Sequence, residues 1–160
     1  MKSARILLPL LLVATSAFAQ SQKSFDLMKS LAGTWEGKAS NGQTATEIYR
    51  VASNGSVVMS ELPGDNNMIS MYTVDGNRLL LTHYCSMGNQ PRMAGTIGAD
   101  GKTLDFEFVD ATNLASPDAG HIHRAVLTLV DSNHLTEDWY FMQGDKEKHE
   151  HFDLQRKPTV

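Results

Sequence analysis

Residues 101–110, Gly101-Lys102-Thr103-Leu104-Asp105-Phe106-Glu107-Phe108-Val109-Asp110, indicate the fold class most clearly. Leu104, Phe106 and Phe108 alternate with polar residues, the pattern of a strand with one buried face and one face in water. The Asp100-Gly101 dipeptide just before the strand is a strong hairpin signal, because both central residues of such a turn take positive φ. This stretch therefore predicts an antiparallel strand that follows a tight turn.

The same pattern repeats along the chain. Turn signals lie at Asn41-Gly42, Asn54-Gly55, Pro63-Gly64-Asp65, Asp75-Gly76, Asp100-Gly101, Ser132-Asn133 and Gly144-Asp145. They predict strands at about 33–39, 44–52, 56–61, 68–74, 78–85, 92–98, 103–109, 121–131, 134–143 and 148–156. Since successive hairpins need no long crossover, we expect an all-β fold, a roughly ten-stranded antiparallel up-and-down β-barrel without exposed sheet edges.

Two further features complete the predicted architecture. Apolar residues at helical spacing predict one short N-terminal helix over residues 24–31, with Ser24 as its N-cap and Gly33 just beyond its end. The connections at residues 86–91 and 111–120 are longer than the other turns, and long loops on a rigid scaffold often carry function.

The first nineteen residues have the pattern of a secretory signal peptide. Lys2 and Arg5 precede an apolar run at residues 6–14, and Ala17-Phe18-Ala19 resembles a cleavage site before Gln20. The apolar run is shorter than the about 20 residues of a membrane span. We therefore expect a signal peptide at 1–19, a single barrel domain at 20–160, no membrane span after cleavage, and an exported protein that is periplasmic or secreted.

Composition excludes several other classes. The 160 residues carry a formal net charge of −4, so the chain lacks the basic surface that nucleic-acid binding requires. The single cysteine, Cys85, excludes an intramolecular disulfide and a zinc site made only of cysteines. An ordinary share of apolar and charged residues argues against a disordered chain.

Both ends of the domain resemble the calycin β-barrels, the group of lipocalins, fatty-acid-binding proteins and nitrobindin-like haem proteins. The resemblance rests on the predicted helix followed by Leu31-Ala32-Gly33-Thr34-Trp35-Glu36-Gly37, and on Arg156 in the last strand. It implies that Gly33 and Trp35 lie on the first strand at one end of the barrel, with Arg156 packed over Trp35. Residues 81–93 also resemble a stretch of uncharacterised exported bacterial proteins of this shape.

A barrel of this size can enclose one ligand, since alternate residues of each strand line its interior. The first prediction is therefore lipocalin-like binding of a small apolar or amphipathic molecule. The candidate ligand-binding residues are Met71, His83, Tyr84, Cys85, Asn89, Arg92 and His123. A purely structural barrel stays open as well, because the methionines and aromatic residues could simply fill the core.

Strand alternation predicts which histidines face inward. His83 and Cys85 share a face with Leu79 and Leu81, and His121 and His123 share one with Ala125 and Leu127. The face of His149 and His151 continues through charged and polar residues and is expected outside. We therefore expect His83, Cys85, His121 and His123 inside the barrel.

Two alternative functions follow from these residues. Imidazole and thiolate groups suit iron, zinc and copper, so His83 and His123 are weak candidates for a metal, or for the axial ligand of a nitrobindin-like haem. A small barrel enzyme could use residues 83–92, although no catalytic motif points to one. Cys85 and His83 lie two residues apart on a strand, so their Cβ atoms are about 6.5–7 Å apart, long for a direct nucleophile–base bond.

Overall fold

The computed structural model describes residues 8–64 and 67–158, and for residues 8–18 the backbone alone. Residues 1–7, the beginning of the predicted signal peptide, lie outside this part. The elements are α1 (Leu8–Ser30), β1 (Gly33–Ala39), β2 (Thr44–Ala52), a 3-10 turn (Ser53–Gly55), β3 (Val57–Leu62), β4 (Met68–Asp75), β5 (Arg78–Tyr84), β6 (Gln90–Ile97), β7 (Thr103–Thr112), β8 (His121–Asp131), β9 (His134–Gln143) and β10 (Lys146–Arg156).

The ten strands form a closed antiparallel barrel in which each strand pairs with its neighbour in sequence. The last strand returns to the first, with Trp35 of β1 opposite Arg156 of β10. Closure leaves no unpaired strand edge for another chain to join. The predicted ten-stranded up-and-down barrel is confirmed.

The N-terminal helix differs from the prediction, since it begins at Leu8 rather than at Ser24. Ser24 is therefore not an N-cap: its hydroxyl donates to the carbonyl of Gln20 at 2.9 Å, the back-bond of a serine inside a helix. The prediction was wrong because a cap signal was taken as the start of a helix that continues from the apolar run before it. No helix in the described part of the chain has the length and apolar character needed to cross a membrane.

The end of α1 closes one end of the barrel. Phe25 and Met28 of the helix are buried in one core with Leu31 and Trp35. The indole of Trp35 donates to the carbonyl of Leu31 at 2.8 Å, which ties the first strand to the helix end.

Arg156 closes the same end from the last strand. Its guanidinium lies 4.1 Å from the centre of the Trp35 ring, which confirms the packing that the resemblance implies. It also donates to the carbonyls of Ser30 and Ala32, two acceptors that a helix end leaves free. Gly33 has a φ of +134°, and a Cβ there would lie 3.0 Å from Arg156 Nη1, so this position favours glycine.

The interior has two halves. The helix-side half is solid, since its side chains pack against one another: Trp35, Leu79, Leu81, Leu104, Phe106, Leu127, Leu135 and Leu154 with Phe25 and Met28. The loop-side half lies toward the connections at 40–43, 85–89, 113–120 and 144–145. Both long loops predicted from the sequence are at this end.

Candidate functional site

The loop-side half contains a cavity of about 300 Å³. Its walls are mainly apolar and its lining includes a small set of polar groups deeper in the barrel. The wall residues are Leu62, Met68, Cys85, Ser86, Met87, Ile122, Trp139, Phe141, Glu150 and Phe152, and the polar floor consists of Glu47, Ser60, Ser70, His83 and Glu137. An apolar cavity with a few convergent polar groups is the usual form of a small-molecule site.

Glu137 is the most enclosed group of the polar floor, with none of its surface exposed. The hydroxyl of Tyr49 donates to one carboxylate oxygen at 2.5 Å, and the indole of Trp139 donates to the other at 2.8 Å. Burial raises the pKa of Glu137, while the bonds from Tyr49 and Trp139 act in the opposite direction because they stabilise the ionised form.

Glu47 lies beside Glu137 and is also buried. Ser60 donates to its carboxyl group at 2.6 Å. Burial and the negative charge of Glu137 raise the pKa of Glu47 well above its ordinary value. Two adjacent carboxyl groups in a low-dielectric site cannot both ionise readily, and the hydrogen bonds from Tyr49 and Trp139 favour ionisation of Glu137 over that of Glu47.

His83 is the third functional group of the floor. Its Nδ1 is hydrogen-bonded to the hydroxyl of Ser70 at 2.9 Å, and its ring centre lies 5.2 Å from that of Trp139. Burial lowers the pKa of His83 to about 4, so the ring is neutral at neutral pH. Its Nε2 has no hydrogen-bond partner in the described part of the chain and is available to a molecule in the cavity.

The inward orientation predicted for His83 and Cys85 is confirmed, since both line the cavity. Tyr84, between them, points outward and is 48% exposed. Met71 is paired with Met59 on the neighbouring strand and does not line the cavity, whereas Met68 does. Of the seven candidate ligand-binding residues, the cavity thus brings together His83 and Cys85.

The other candidates in residues 83–92 have structural contacts elsewhere. Arg92 forms an exposed ion pair with Asp110 on the outer surface. Asn89 is buried in the loop between β5 and β6, where its side-chain amide donates to the carbonyl of Gly120 at 2.8 Å and joins the two long loops. Within residues 83–92, His83 and Cys85 thus line the cavity, whereas the side chains of Asn89 and Arg92 do not.

His121 and His123 correct the predicted orientation of β8. A β-bulge between Ile122 and Arg124 shifts the register, so Ile122 lines the cavity instead of its neighbours. His123 lies outside, 2.8 Å from Glu147. His121 packs against Phe108 near the loops. The inward prediction for His123 was wrong because alternation reverses across a bulge, whereas His121 is buried without lining the cavity.

His149 and His151 lie on the outer face of β10, as predicted. Both rings approach the same carboxylate oxygen of Asp138, at 2.7 and 2.8 Å. No group of three or more histidine, cysteine or acidic side chains in the described ranges has the geometry to hold a metal ion. For haem, His83 is on the cavity side of the wall and His123 is outside, so the two cannot act on one iron.

The prediction missed the acidic pair, although the sequence carries a signal for it. Glu137 occupies the inward face of β9 between Leu135 and Trp139, and Glu47 occupies that of β2 between Ala45 and Tyr49. A carboxylate on an otherwise apolar strand face is unusual, because burying a charge is costly. These two acidic residues on otherwise apolar strand faces are the sequence signal that could have predicted a buried polar site.

Several solved structures contain a similar barrel. Rv2717c from M. tuberculosis is 15% identical with a TM-score of 0.55, over 84% of this chain and 98% of that one. A protein of unknown function from the DUF3598 family of Nostoc punctiforme PCC 73102 is 12% identical with a TM-score of 0.56, over 81% of this chain. The match spans about half, 49%, of the length of that protein.

These likenesses show the fold alone, because the sequence identities are low. No protein-family model matches the sequence, and a search of curated proteins found no match. The function therefore has to be inferred from the cavity itself.

Proposed function

We propose that this protein is a calycin-type, lipocalin-like barrel that binds a small, largely apolar or amphipathic molecule in the loop-side cavity. The observation that carries the proposal is the contrast between the two halves of the interior. Side chains fill the helix-side half, whereas the loop-side half encloses about 300 Å³, the lower end of the volumes typical of ligand sites.

The lining fits an amphipathic molecule. Trp139, Phe141 and Phe152 offer broad apolar surface to the body of a ligand, while His83 and the carboxyl pair offer hydrogen-bonding partners deeper in the barrel. Burial of the apolar part supplies affinity, and the polar groups fix its orientation.

We also propose that the protein is exported. The support is the signal-peptide pattern of residues 1–19, together with the position of the helix residues in the described core. Phe25 and Met28 both follow Ala19, so cleavage there leaves the contacts between helix and barrel in place. The mass of the protein from its host compartment tests this: an N-terminus at Gln20 is expected, and a chain that still begins at Met1 would contradict export by cleavage.

Titration with the uncharged dye N-phenyl-1-naphthylamine tests ligand binding, because its fluorescence rises in an apolar site. Ile122→Trp places a large ring in the cavity wall, and Val126→Trp places the same ring on the outside of the same strand. We expect saturable binding by the wild-type protein and by Val126→Trp, and at least about tenfold weaker binding by Ile122→Trp. Equal binding by all three proteins would place the dye elsewhere and overturn the proposal.

A haem-binding barrel is the second candidate, and the position of His83 favours it. A ring whose Nδ1 is fixed by Ser70 and whose Nε2 faces a cavity has the arrangement of a metal-ligating histidine. Haem addition would then give a Soret band that His83→Ala abolishes and His123→Ala retains. The absence of any band would exclude this candidate while leaving the first one untouched.

A further inference from the structure

The acidic pair Glu47 and Glu137 has no cationic partner among the residues that the structure describes. The ion pairs of the described residues include neither Glu47 nor Glu137. The described residues that line the cavity include no lysine or arginine, and they include a third acidic residue, Glu150. The carboxyl groups in the described lining therefore have no basic side chain to oppose them.

Hydrogen bonds favour Glu137 as the ionised member of the pair. Tyr49 and Trp139 both donate to its carboxyl group, and Glu47 lies beside it. An ionised group accepts these bonds more strongly than a neutral acid does. The floor thus presents an acidic pair, with Glu137 favoured as the anion, beneath mainly apolar walls.

A buried anion without a counter-charge is costly, and proteins usually pair such groups. A cation that enters the cavity would be attracted by Glu137 more strongly than in bulk water, because the surrounding protein has a lower dielectric constant. Trp139, Phe141 and Phe152 suit the same ligand, since ring faces attract ammonium groups.

His83 gives an independent indication of a ligand. It is 5% exposed, it lines the cavity, and its Nε2 has no partner in the described part of the chain. When Nδ1–H donates to Ser70, the neutral ring presents Nε2 as an acceptor for an N–H group. A donor-rich ligand head can therefore be held by Nε2 of His83, in the same cavity whose lining includes Glu137.

We propose, building on the ligand-binding function above, that the cavity selects small molecules with a protonated amine on an apolar, preferably aromatic, body. The ammonium group donates to Nε2 of His83, the buried carboxylate of Glu137 behind the cavity surface attracts its charge, and the apolar body lies between the aromatic walls. Glu47 lies beside Glu137 as the other member of the acidic pair.

Three probes of matched size test this selectivity by calorimetric titration at neutral pH: 2-phenylethylamine, which is a cation, 2-phenylethanol, which is neutral, and phenylacetate, which is an anion. We expect the amine to bind at least about tenfold more tightly than the alcohol, because charge-assisted hydrogen bonds are about twice as strong as neutral ones. Phenylacetate should bind most weakly.

Isosteric variants assign the selectivity to the acidic pair. In Glu47→Gln/Glu137→Gln the amine and the alcohol should bind equally. In Glu47→Gln alone the preference for the amine should persist, since the amide still donates to Glu137. Glu107→Gln, which removes an exposed carboxylate from the outer surface, is the matched control and should behave as wild type.

The outcomes separate this inference from the proposed function. Binding of the alcohol without any preference for the amine would overturn the inference and leave ligand binding intact. No binding of any probe would overturn both. A preference that survives in the double variant would also overturn the inference. If the double variant does not fold, the same titrations are made on Glu137→Gln. Its melting temperature, measured beside that of Glu107→Gln, shows that the variant is folded.

Discussion

The two halves of the barrel interior are built from the same strands but differ in packing. Inward side chains fill the helix-side half, whereas in the loop-side half they line a cavity. On β5, Leu79 and Leu81 are fully enclosed in the solid helix-side half, and two residues further along the same face His83 reaches the cavity. The helix fills one end with Phe25 and Met28, while at the other end loops surround an opening. One half therefore stabilises the fold, and the other is free to carry function.

The largest effect that separates the halves is expected from truncating aliphatic side chains. Leu81→Ala leaves a hole in a filled core and should lower the free energy of unfolding by about 2–5 kcal/mol. Ile122→Ala enlarges an existing cavity and should cost only about 1 kcal/mol. Denaturant unfolding measures both. Similar losses for the two variants would contradict the division of the interior.

The next effect concerns pH and belongs to the loop-side half. His83 has a folded pKa of about 4 against an ordinary 6.5, so between these values the unfolded chain binds more protons and stability rises with pH. The contribution of His83 should fall by about 3 kcal/mol as pH drops from 6.5 to 4. His83→Asn should therefore show a flatter stability curve over this window. Identical curves for variant and wild type would show that His83 is not buried as described.

A smaller effect is expected where the helix-side half is closed. Arg156→Ala removes the stacking on Trp35 and the bonds to the helix end, and should cost about 1–3 kcal/mol. Arg156→Lys keeps the charge and loses the planar fork, so it should recover only part of this stability. Full recovery with lysine would mean that charge, rather than the stacking and fork geometry, closes this end. Thermal unfolding distinguishes these outcomes.

The smallest effect is expected at Arg92, which the sequence suggested as a ligand anchor. Its ion pair with Asp110 is exposed on the outer surface, and such pairs contribute little to stability. Arg92→Ala should change neither the melting temperature nor dye binding measurably. A clear loss of dye affinity would contradict the outward position of Arg92.

The strands were predictable because their signals are local. Turn chemistry such as Asp75-Gly76 fixes where a hairpin reverses, and the observed strand ends lie within two residues of nearly all predicted ones. The stacking of Arg156 on Trp35 followed from the family resemblance. Each of these features depends on short sequence motifs that can be recognised without knowledge of the tertiary structure.

The site was less predictable because it depends on contacts between distant strands. The bulge after Ile122 changes which side chains of β8 face inward, and the sequence of β8 contains no local signal that predicts it. Glu47 and Glu137 come together from β2 and β9, ninety residues apart in sequence and adjacent in the cavity. Sequence alternation places His83 correctly but cannot show that an acidic pair lies beside the same cavity.

The two tryptophans of the chain allow the most direct test, since one lies in each half. The indole N–H of Trp139 donates to Glu137 in the cavity, and that of Trp35 donates to Leu31 at the helix end. In a proton–nitrogen correlation spectrum, adding 2-phenylethanol should shift the Trp139 indole signal in a saturable way and leave that of Trp35 unchanged. A shift of Trp35 alone, or of neither signal at saturating alcohol, would contradict a ligand site in the loop-side half.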